Sequence, residues 1–183
     1  MSEVEIRTVA VVGAGVLGRE LAARALLAGY RVVLEDVLPV NLRNARAQIE
    51  LQIQSAASLK DLAQIDYVST VEDAVREADL AIDFVPDELE SKLEIFCLMD
   101  RMAPPKTILC TPAIRVGIAD ISNCTYRAPR CMAVQPGEQE SGLPGKSVRL
   151  LRTAITPDDV AEAVRKFWVS LGCEVTAMDL ATS

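Results

Sequence analysis

Hydrophobic residues lie in short runs along the chain, and most runs are followed by a segment in which apolar residues recur at helical spacing. The first run, from Thr8 to Val12, is apolar or β-branched without alternation, which is typical of a strand buried on both faces of a parallel sheet. Later runs predict strands at 31–36, 67–70, 79–86, 107–111, 131–135, 147–152 and 173–178. Helical spacing predicts helices at 17–28, 41–53, 71–78, 87–102 and 157–171. This alternation predicts an α/β fold with a doubly wound, mostly parallel sheet in a single domain over residues 1–183.

Apolar stripes along three of these helices indicate the faces that are expected to be buried. They comprise Leu42, Ala45, Ile49 and Ile53; then Leu89, Leu93, Phe96 and Cys97; and finally Val160, Val164, Phe167 and Leu171. Gly29 is placed to end the first helix in a left-handed conformation. Thr156 is placed as the N-cap of the last helix, which Gly172 ends.

Three glycines, Gly13, Gly15 and Gly18, separate the first strand from the first helix. Gly13 permits a tight turn, Gly15 leaves room for the phosphates of a dinucleotide to approach the backbone, and Gly18 lets the helix lie close to the strand. The phosphates would sit at the helix N-terminus, where the backbone near Val16 and Leu17 offers N–H groups and the helix dipole favours negative charge. The pattern predicts a cradle for a pyrophosphate.

An acidic pair ends the second predicted strand, about twenty residues after the glycines. We choose Asp36 as the acceptor for the adenosine ribose 2′-hydroxyl, with Glu35 as the neighbour that could take its place. A carboxylate there disfavours the extra phosphate of NADP, so the predicted cofactor is NAD. FAD is less expected, because nothing further along the chain suggests a flavin site. The alternative is a structural glycine turn beside a solvated acidic pair.

Composition narrows the possible partners and compartments. The net charge of −7 argues against nucleic acid or an anionic membrane surface as a partner. No apolar run approaches the length of a membrane span and no export signal opens the chain, so we expect a cytoplasmic protein. The five cysteines show no CxxC spacing, which favours reduced thiols over disulfides or a metal site. The chain has no histidine, and this excludes any mechanism that needs imidazole.

Three segments together resemble the NAD-binding domain of 3-hydroxyacyl-CoA dehydrogenases: the glycine loop with Asp36, the stretch 83–96 and the stretch 103–109. The resemblance extends from about Val9 to Asp179. It implies a Rossmann-type fold in which Val85 and Pro86 lie along the dinucleotide.

The same resemblance assigns roles near the nicotinamide ribose. Asp87 matches an acidic residue of the family there, and Lys92 matches a lysine that reaches the same region. For Lys92, an ordinary surface lysine on a helix is the open alternative.

At the catalytic positions the chain departs from the family, whose enzymes use a histidine oriented by a glutamate. A Ser-Asn-Thr-Ser segment of the family aligns with residues 111–114, where only the hydroxyl of Thr111 remains. Gln135 aligns with the histidine, and glutamine cannot take a proton near neutral pH. Arg149 falls near the glutamate, so the charge there is reversed. We expect no efficient turnover, and the catalytic candidates in these aligned segments are Thr111, Gln135 and Glu138.

Two larger parts of the family are also expected to be missing. A helical hairpin inserted before Tyr67 is shorter here, and the helical second domain, which completes the substrate pocket and makes the dimer, would begin beyond Ser183. Apolar surface that this domain would cover is expected to seek a partner, so a homodimer is predicted.

Two hypotheses for function follow. One is a NAD-binding protein without the family's histidine-dependent activity, either a cofactor sensor or a subunit whose partner supplies the missing chemistry. The other is a NAD-dependent oxidoreductase acting on a 3-hydroxyacyl-CoA or a related hydroxy acid, as in fatty acid metabolism. Its base would be Glu138, Tyr126 or Lys146.

Overall fold

The computed structural model describes residues 4–55, 65–137 and 145–180. Within these ranges the strands are β1 (Thr8–Val12), β2 (Arg31–Glu35), β3 (Ile65–Val68), β4 (Leu80–Asp83), β5 (Ile108–Pro112), β6 (Cys131–Pro136), β7 (Ser147–Arg152) and β8 (Glu174–Leu180). The helices are α1 (Val16–Leu27), α2 (Pro39–Ser55), α3 (Val71–Val75), α4 (Leu89–Met102), α5 (Ile118–Ser122) and α6 (Asp158–Ser170). The short helix α5 carried no signal in the hydrophobic pattern.

The eight strands form one sheet in the order β3-β2-β1-β4-β5-β6-β7-β8. Every pair from β3 to β6 is parallel, and the chain moves outward from β1 first in one direction and then in the other. The predicted doubly wound, mostly parallel sheet is therefore confirmed. The crevice at such a reversal point, beyond the carboxyl ends of the strands, is where α/β proteins of this type bind ligands.

One strand pair departs from the parallel pattern. β6 and β7 are antiparallel, and β8 then runs parallel to β7. The connection between β6 and β7 is only about ten residues long, which is enough for a hairpin but too short for the crossover that a parallel pair needs.

Two apolar layers cover the sheet and place β1 at the centre of the core. Helices α1, α2 and α6 pack on one face, and α3, α4 and α5 pack on the other. Residues Val9 to Val12 are buried, with alternate side chains pointing into the two layers. The first hydrophobic run is therefore a strand covered on both sides, as predicted.

The ends of some strands and helices differ from the predicted ends, because polar side chains there make local hydrogen bonds. The strand expected at 67–70 is Ile65–Val68, and the hydroxyl of Thr70 instead caps α3 by accepting a hydrogen bond from Asp73 N at 3.2 Å. Thr156 does not cap α6, because its Oγ1 accepts from Thr153 N at 3.1 Å. Thr70 was expected at the end of a strand and instead caps a helix. Thr156 was expected to cap a helix and instead bonds within the preceding turn.

The buried face of α4 differs from the predicted stripe. Leu89 is exposed, Leu93 and Cys97 are only half-buried, and of the four predicted residues only Phe96 is fully buried. The side chains that point inward are Lys92, Ile95, Phe96, Met99 and Asp100. A stripe defined by apolar residues alone could not include a lysine, and this is why the predicted face was rotated.

Two further observations concern the described ranges. In the part of the chain that the structure describes, no helix is long and apolar enough to cross a bilayer. All five cysteines are free thiols, and three of them are buried.

Candidate functional site

The loop between β1 and α1 has the geometry that its glycines predict. Gly13 adopts φ of +105°, a conformation that side chains rarely allow. A Cβ on Gly18 would lie 1.8 Å from the carbonyl oxygen of Gly13, so only glycine lets α1 approach the strand this closely. Phe84, just after β4, packs beneath both positions at van der Waals distance from where a Cβ would be. Nothing in its sequence context marked Phe84 as part of the loop.

The space in front of Gly15 is open. A Cβ added there would meet no atom of the described residues within 4 Å, so their packing does not require this glycine. Gly15 is the N-cap residue of α1, and no side chain caps that helix. Val16 and Leu17, in the first turn, are exposed. A twelve-residue helix whose N-terminus has no side-chain cap among the described residues, and which begins at this open space, fits a pyrophosphate group.

The carboxylate of Asp36 lies directly beside this loop. Asp36 Oδ2 accepts a hydrogen bond from Ala14 N at 2.9 Å and another from Asn41 Nδ2 at 3.0 Å. Asp36 Oδ1 accepts from Leu38 N at 2.9 Å. The chain therefore brings Asp36, which directly follows β2, and the glycine loop together, as the sequence spacing predicted.

Glu35 occupies a different environment from its neighbour. Its side chain is 6% exposed and lies on the face of the sheet that α3 covers. Burial, together with the negative charge of Asp36, raises the pKa of Glu35 to about 7, although the Gly13 N–H lowers it in part. Of the two acids, Asp36 is the less buried, and its carboxylate is the one that accepts the Ala14 N–H of the loop.

A buried ion pair lies at the carboxyl end of β4. Lys92 Nζ donates to Asp83 Oδ1 at 2.7 Å, and both side chains are almost completely buried. Burial raises the pKa of Asp83, whereas the charge and hydrogen bond of Lys92, the Thr111 hydroxyl and the Val85 N–H lower it. Lys92 is therefore not the surface lysine of the open alternative, and its ammonium group is enclosed with Asp83.

Asp87 links two loops at the same edge of the sheet. Its Oδ2 accepts hydrogen bonds from Ile114 N at 2.9 Å and Arg115 N at 2.8 Å, which joins the loop after β4 to the loop after β5. Its other oxygen, Oδ1, is buried and has no hydrogen-bond partner among the described residues. Val85, which is half-buried, and Pro86, which is exposed, directly precede Asp87 in the loop after β4.

The remaining candidates lie at the ends of β5, β6 and β7. Thr111 is fully buried, and Gln135 Nε2 donates to Ala113 O at 2.8 Å. Gln135 and Arg149 are register partners across the antiparallel β6–β7 pair. The structure thus brings together the two positions that the resemblance aligned with a histidine and a glutamate. Glu138 lies outside the described residues.

Tyr126 is not near this group. It is completely exposed and precedes β6, whereas Gln135 is near the strand's other end. Its backbone N–H donates to Asp100 Oδ2 at 2.9 Å, near the end of α4. Tyr126 was a wrong choice of base. Lys146, which precedes β7, lies at the same edge of the sheet as Gln135.

Fold and loop together define a dinucleotide-binding domain of the doubly wound α/β class. The family model described as "3-hydroxyacyl-CoA dehydrogenase, NAD binding domain" matches residues 8–179. The chain belongs to this family, whose domain binds NAD. The predicted family and cofactor are therefore confirmed.

Relatives of known activity are distant in sequence. L-carnitine dehydrogenase of Pseudomonas putida is 28% identical over 173 residues, which are 92% of this chain and 53% of that enzyme. The 3-hydroxybutyryl-CoA dehydrogenase of Bradyrhizobium diazoefficiens is 27% identical over 183 residues, covering 95% of this chain and 61% of the enzyme. This chain therefore spans between half and two thirds of the length of these relatives.

Solved structures share the fold over almost the whole chain. A diketoreductase superposes with a TM-score of 0.85 at 25% identity, covering 100% of this chain and 66% of that one. The (S)-3-hydroxybutyryl-CoA dehydrogenase of Ralstonia eutropha superposes with a TM-score of 0.84 at 21% identity, over 97% of this chain and 65% of that one.

Proposed function

We propose that this chain is a NAD(H)-binding module that prefers NADH over NADPH and does not carry out the histidine-dependent chemistry of its family. The observation that carries the proposal is the contact between Asp36 and Ala14 N, 2.9 Å long, which sets a carboxylate beside the open space in front of Gly15. Residues 1–183 would act as one binding domain, as a cofactor sensor or as a subunit.

The glycine loop and its flanks would hold the adenosine and phosphate parts of the cofactor. N–H groups at the start of α1 would bind the pyrophosphate, with Val16 and Leu17 along it. Asp36 would accept the adenosine ribose. Exposed Val37, Leu38 and Val40 lie next to Asp36 in the sequence and would offer apolar surface to the adenine.

The β4 and β5 loops would hold the other end of the cofactor. Val85 and Pro86 would lie along it, and Asp87 Oδ1 would accept a hydroxyl of the second ribose. Lys92 would contribute by holding Asp83 and the start of the loop in place, since its ammonium group is buried. When bound, NAD supplies a hydride acceptor.

The proposal that the family's chemistry is absent is supported by how poorly the residues described near the site could act as a general base. Asp83 is enclosed with Lys92, Asp87 already binds two backbone N–H groups, and Gln135 is not a base. The chain contains no histidine to replace them. Losing a general base commonly reduces the rate by a factor of about 10²–10⁴.

Titration of the pure protein with NADH and NADPH, by calorimetry and by energy transfer from Trp168, tests the binding proposal. We expect NADH to bind more tightly than NADPH, and Asp36→Ala to weaken NADH binding at least tenfold, because the ribose loses a charged acceptor. Failure of both nucleotides to bind would overturn the proposal.

A second candidate function is a dehydrogenase that uses another base. The relatives named above are dehydrogenases, and this observation favours it. Glu138 follows Gln135 closely in the sequence and is the carboxylate that we would test first. Reduction of NAD by a panel of 3-hydroxyacyl-CoAs and small hydroxy acids, abolished in Glu138→Gln, would establish this function in place of binding alone.

A further inference from the structure

Asn41 contacts the carboxylate that we assign to the adenosine ribose, although no signal in the sequence singled it out. It lies in the first turn of α2, where its backbone N–H donates to Leu38 O at 3.0 Å. Its side chain is directed at Asp36, with Nδ2 3.0 Å from Oδ2. The inference below rests on the proposed binding of NAD(H).

The hydrogen bonds already made by Asp36 limit what it can accept. A carboxylate offers about four acceptor positions, two on each oxygen. Oδ2 already accepts from Ala14 N and Asn41 Nδ2, and Oδ1 accepts from Leu38 N. Among the residues that the structure describes, one acceptor position therefore remains, on Oδ1. The adenosine ribose of NAD carries two adjacent hydroxyl donors, so Asp36 alone cannot accept both unless it loses a bond.

Asn41 provides the second acceptor. Its amide nitrogen must face Asp36, because an amide oxygen placed there would repel the carboxylate, and this fixes the orientation of the whole amide group. Among the residues that the structure describes, none donates a hydrogen bond to Asn41 Oδ1. An amide oxygen that no described residue pairs with is thus oriented beside an acid with one open acceptor position.

We propose that Asn41 is a cofactor-binding and specificity-determining residue. Its side-chain oxygen accepts one ribose hydroxyl while Asp36 Oδ1 accepts the other. The pair rejects a 2′-phosphate for two reasons: the phosphate brings negative charge next to Asp36, and in its dianionic form it has no proton to donate to the amide oxygen.

The test compares Asn41→Leu with Asn44→Leu, a matched change one turn further along α2 at an exposed asparagine. Leucine keeps the branching of asparagine at Cγ, although it is somewhat larger, and its side chain can neither donate nor accept a hydrogen bond. We expect Asn41→Leu to weaken NADH binding about 3- to 10-fold, the usual effect of losing one hydrogen bond. Binding of NADPH should change less, so the preference for NADH falls. Asn44→Leu should match the native protein in both.

Deoxy analogues of NADH separate direct contact from a structural effect. The native protein should bind both the 2′-deoxy and the 3′-deoxy adenosine analogues more weakly than NADH. In Asn41→Leu, one of the two analogues should bind as tightly as NADH does, because its missing hydroxyl has already lost its acceptor. A merely structural role would leave the penalty for both analogues unchanged, and this result would overturn the inference.

The other outcomes are also decisive. If Asn41→Leu binds NADH as the native protein does, while Asp36→Ala loses binding, the role of Asn41 is wrong and the proposed function stands. If the native protein binds neither NADH nor NADPH, both fail together.

Discussion

Two neighbouring acids at the end of β2, Glu35 and Asp36, show how strongly a single step along the chain changes a residue's chemistry. Glu35 is buried and pairs with no cation among the described residues, whereas Asp36 is less buried and accepts three hydrogen bonds. The sequence spacing located the pair but left open which acid would face the loop. Only the direction of each side chain relative to the sheet decides it, because successive residues of a strand point to opposite faces.

The first prediction concerns Glu35 and stability. Its pKa of about 7 in the folded protein, against 4.5 normally, means that the folded state holds a proton which the unfolded state releases. The free energy of unfolding should therefore fall as the pH rises from 4.5 to 7 and stay low above it, by about 3 kcal/mol in total. Glu35→Gln removes this loss, so its stability relative to the native protein should rise across that range.

Urea unfolding of both proteins between pH 4 and pH 8 measures the effect. All other titrating groups are shared, so the difference between the two proteins isolates Glu35. A difference that does not vary with pH would contradict the assignment.

The second prediction concerns the buried pair at the end of β4. Lys92→Met leaves the Asp83 carboxylate buried without its cation, which should cost about 3–5 kcal/mol of stability. Lys106→Met is the matched control, because the Lys106 side chain is 64% exposed and solvent screens its pair with Asp79, which should contribute only about 1 kcal/mol. Thermal unfolding of the two variants should differ accordingly, and equal losses would show that Lys92 is not enclosed.

At the scale of elements, most strands could be read from hydrophobic runs, while helix faces that include charge could not. β7 lies where the pattern predicted it, at Ser147–Arg152. The inward face of α4 was predicted wrongly because Lys92 is buried by its partner on β4, a contact between residues that the sequence does not bring together. Short-range patterns record which residues are apolar, not which charges are paired.

The glycine loop yields a prediction that separates folding from binding. Gly15→Ala should lower stability by no more than about 1 kcal/mol, the cost of a poorer N-cap, because its Cβ meets no atom of the described residues within 4 Å and its φ of −66° suits alanine. It should nonetheless weaken dinucleotide binding by filling the space in front of α1. Gly18→Ala should lower stability itself, since its Cβ would lie 1.8 Å from Gly13 O. Calorimetric unfolding and NADH titration of both variants provide the measurement.

At the scale of the molecule, the doubly wound sheet followed from the alternation of strands and helices, but the reversal at β7 did not. Hydrophobic runs give no strand direction, and only the short connection between β6 and β7 hints at a hairpin. The candidate site likewise combines residues that the sequence predicted with residues that only the structure revealed. The glycines and Asp36 carry a recognisable spacing, whereas Asn41 and Phe84 join the site only through the path of the folded chain.

The predicted homodimer belongs to this scale too. We expect a dimer in sedimentation velocity experiments at micromolar concentration, because the exposed apolar residues include Ile114, Ile155 and Met178 at or beyond the sheet's β5–β8 half. A single species with the mass of one 19.8 kDa chain would contradict this prediction.

Asp87 couples the motions of the two loops that follow β4 and β5. Its carboxylate fastens Ile114 N and Arg115 N, and hydrogen bonds to a charged group contribute about 1.5–3 kcal/mol each. The two loops are therefore coupled. A ligand that displaces one loop should also displace the other, unless the two hydrogen bonds to Asp87 first break. Amide hydrogen exchange at Arg115 should thus slow when a ligand binds along Val85, although the two residues are thirty positions apart.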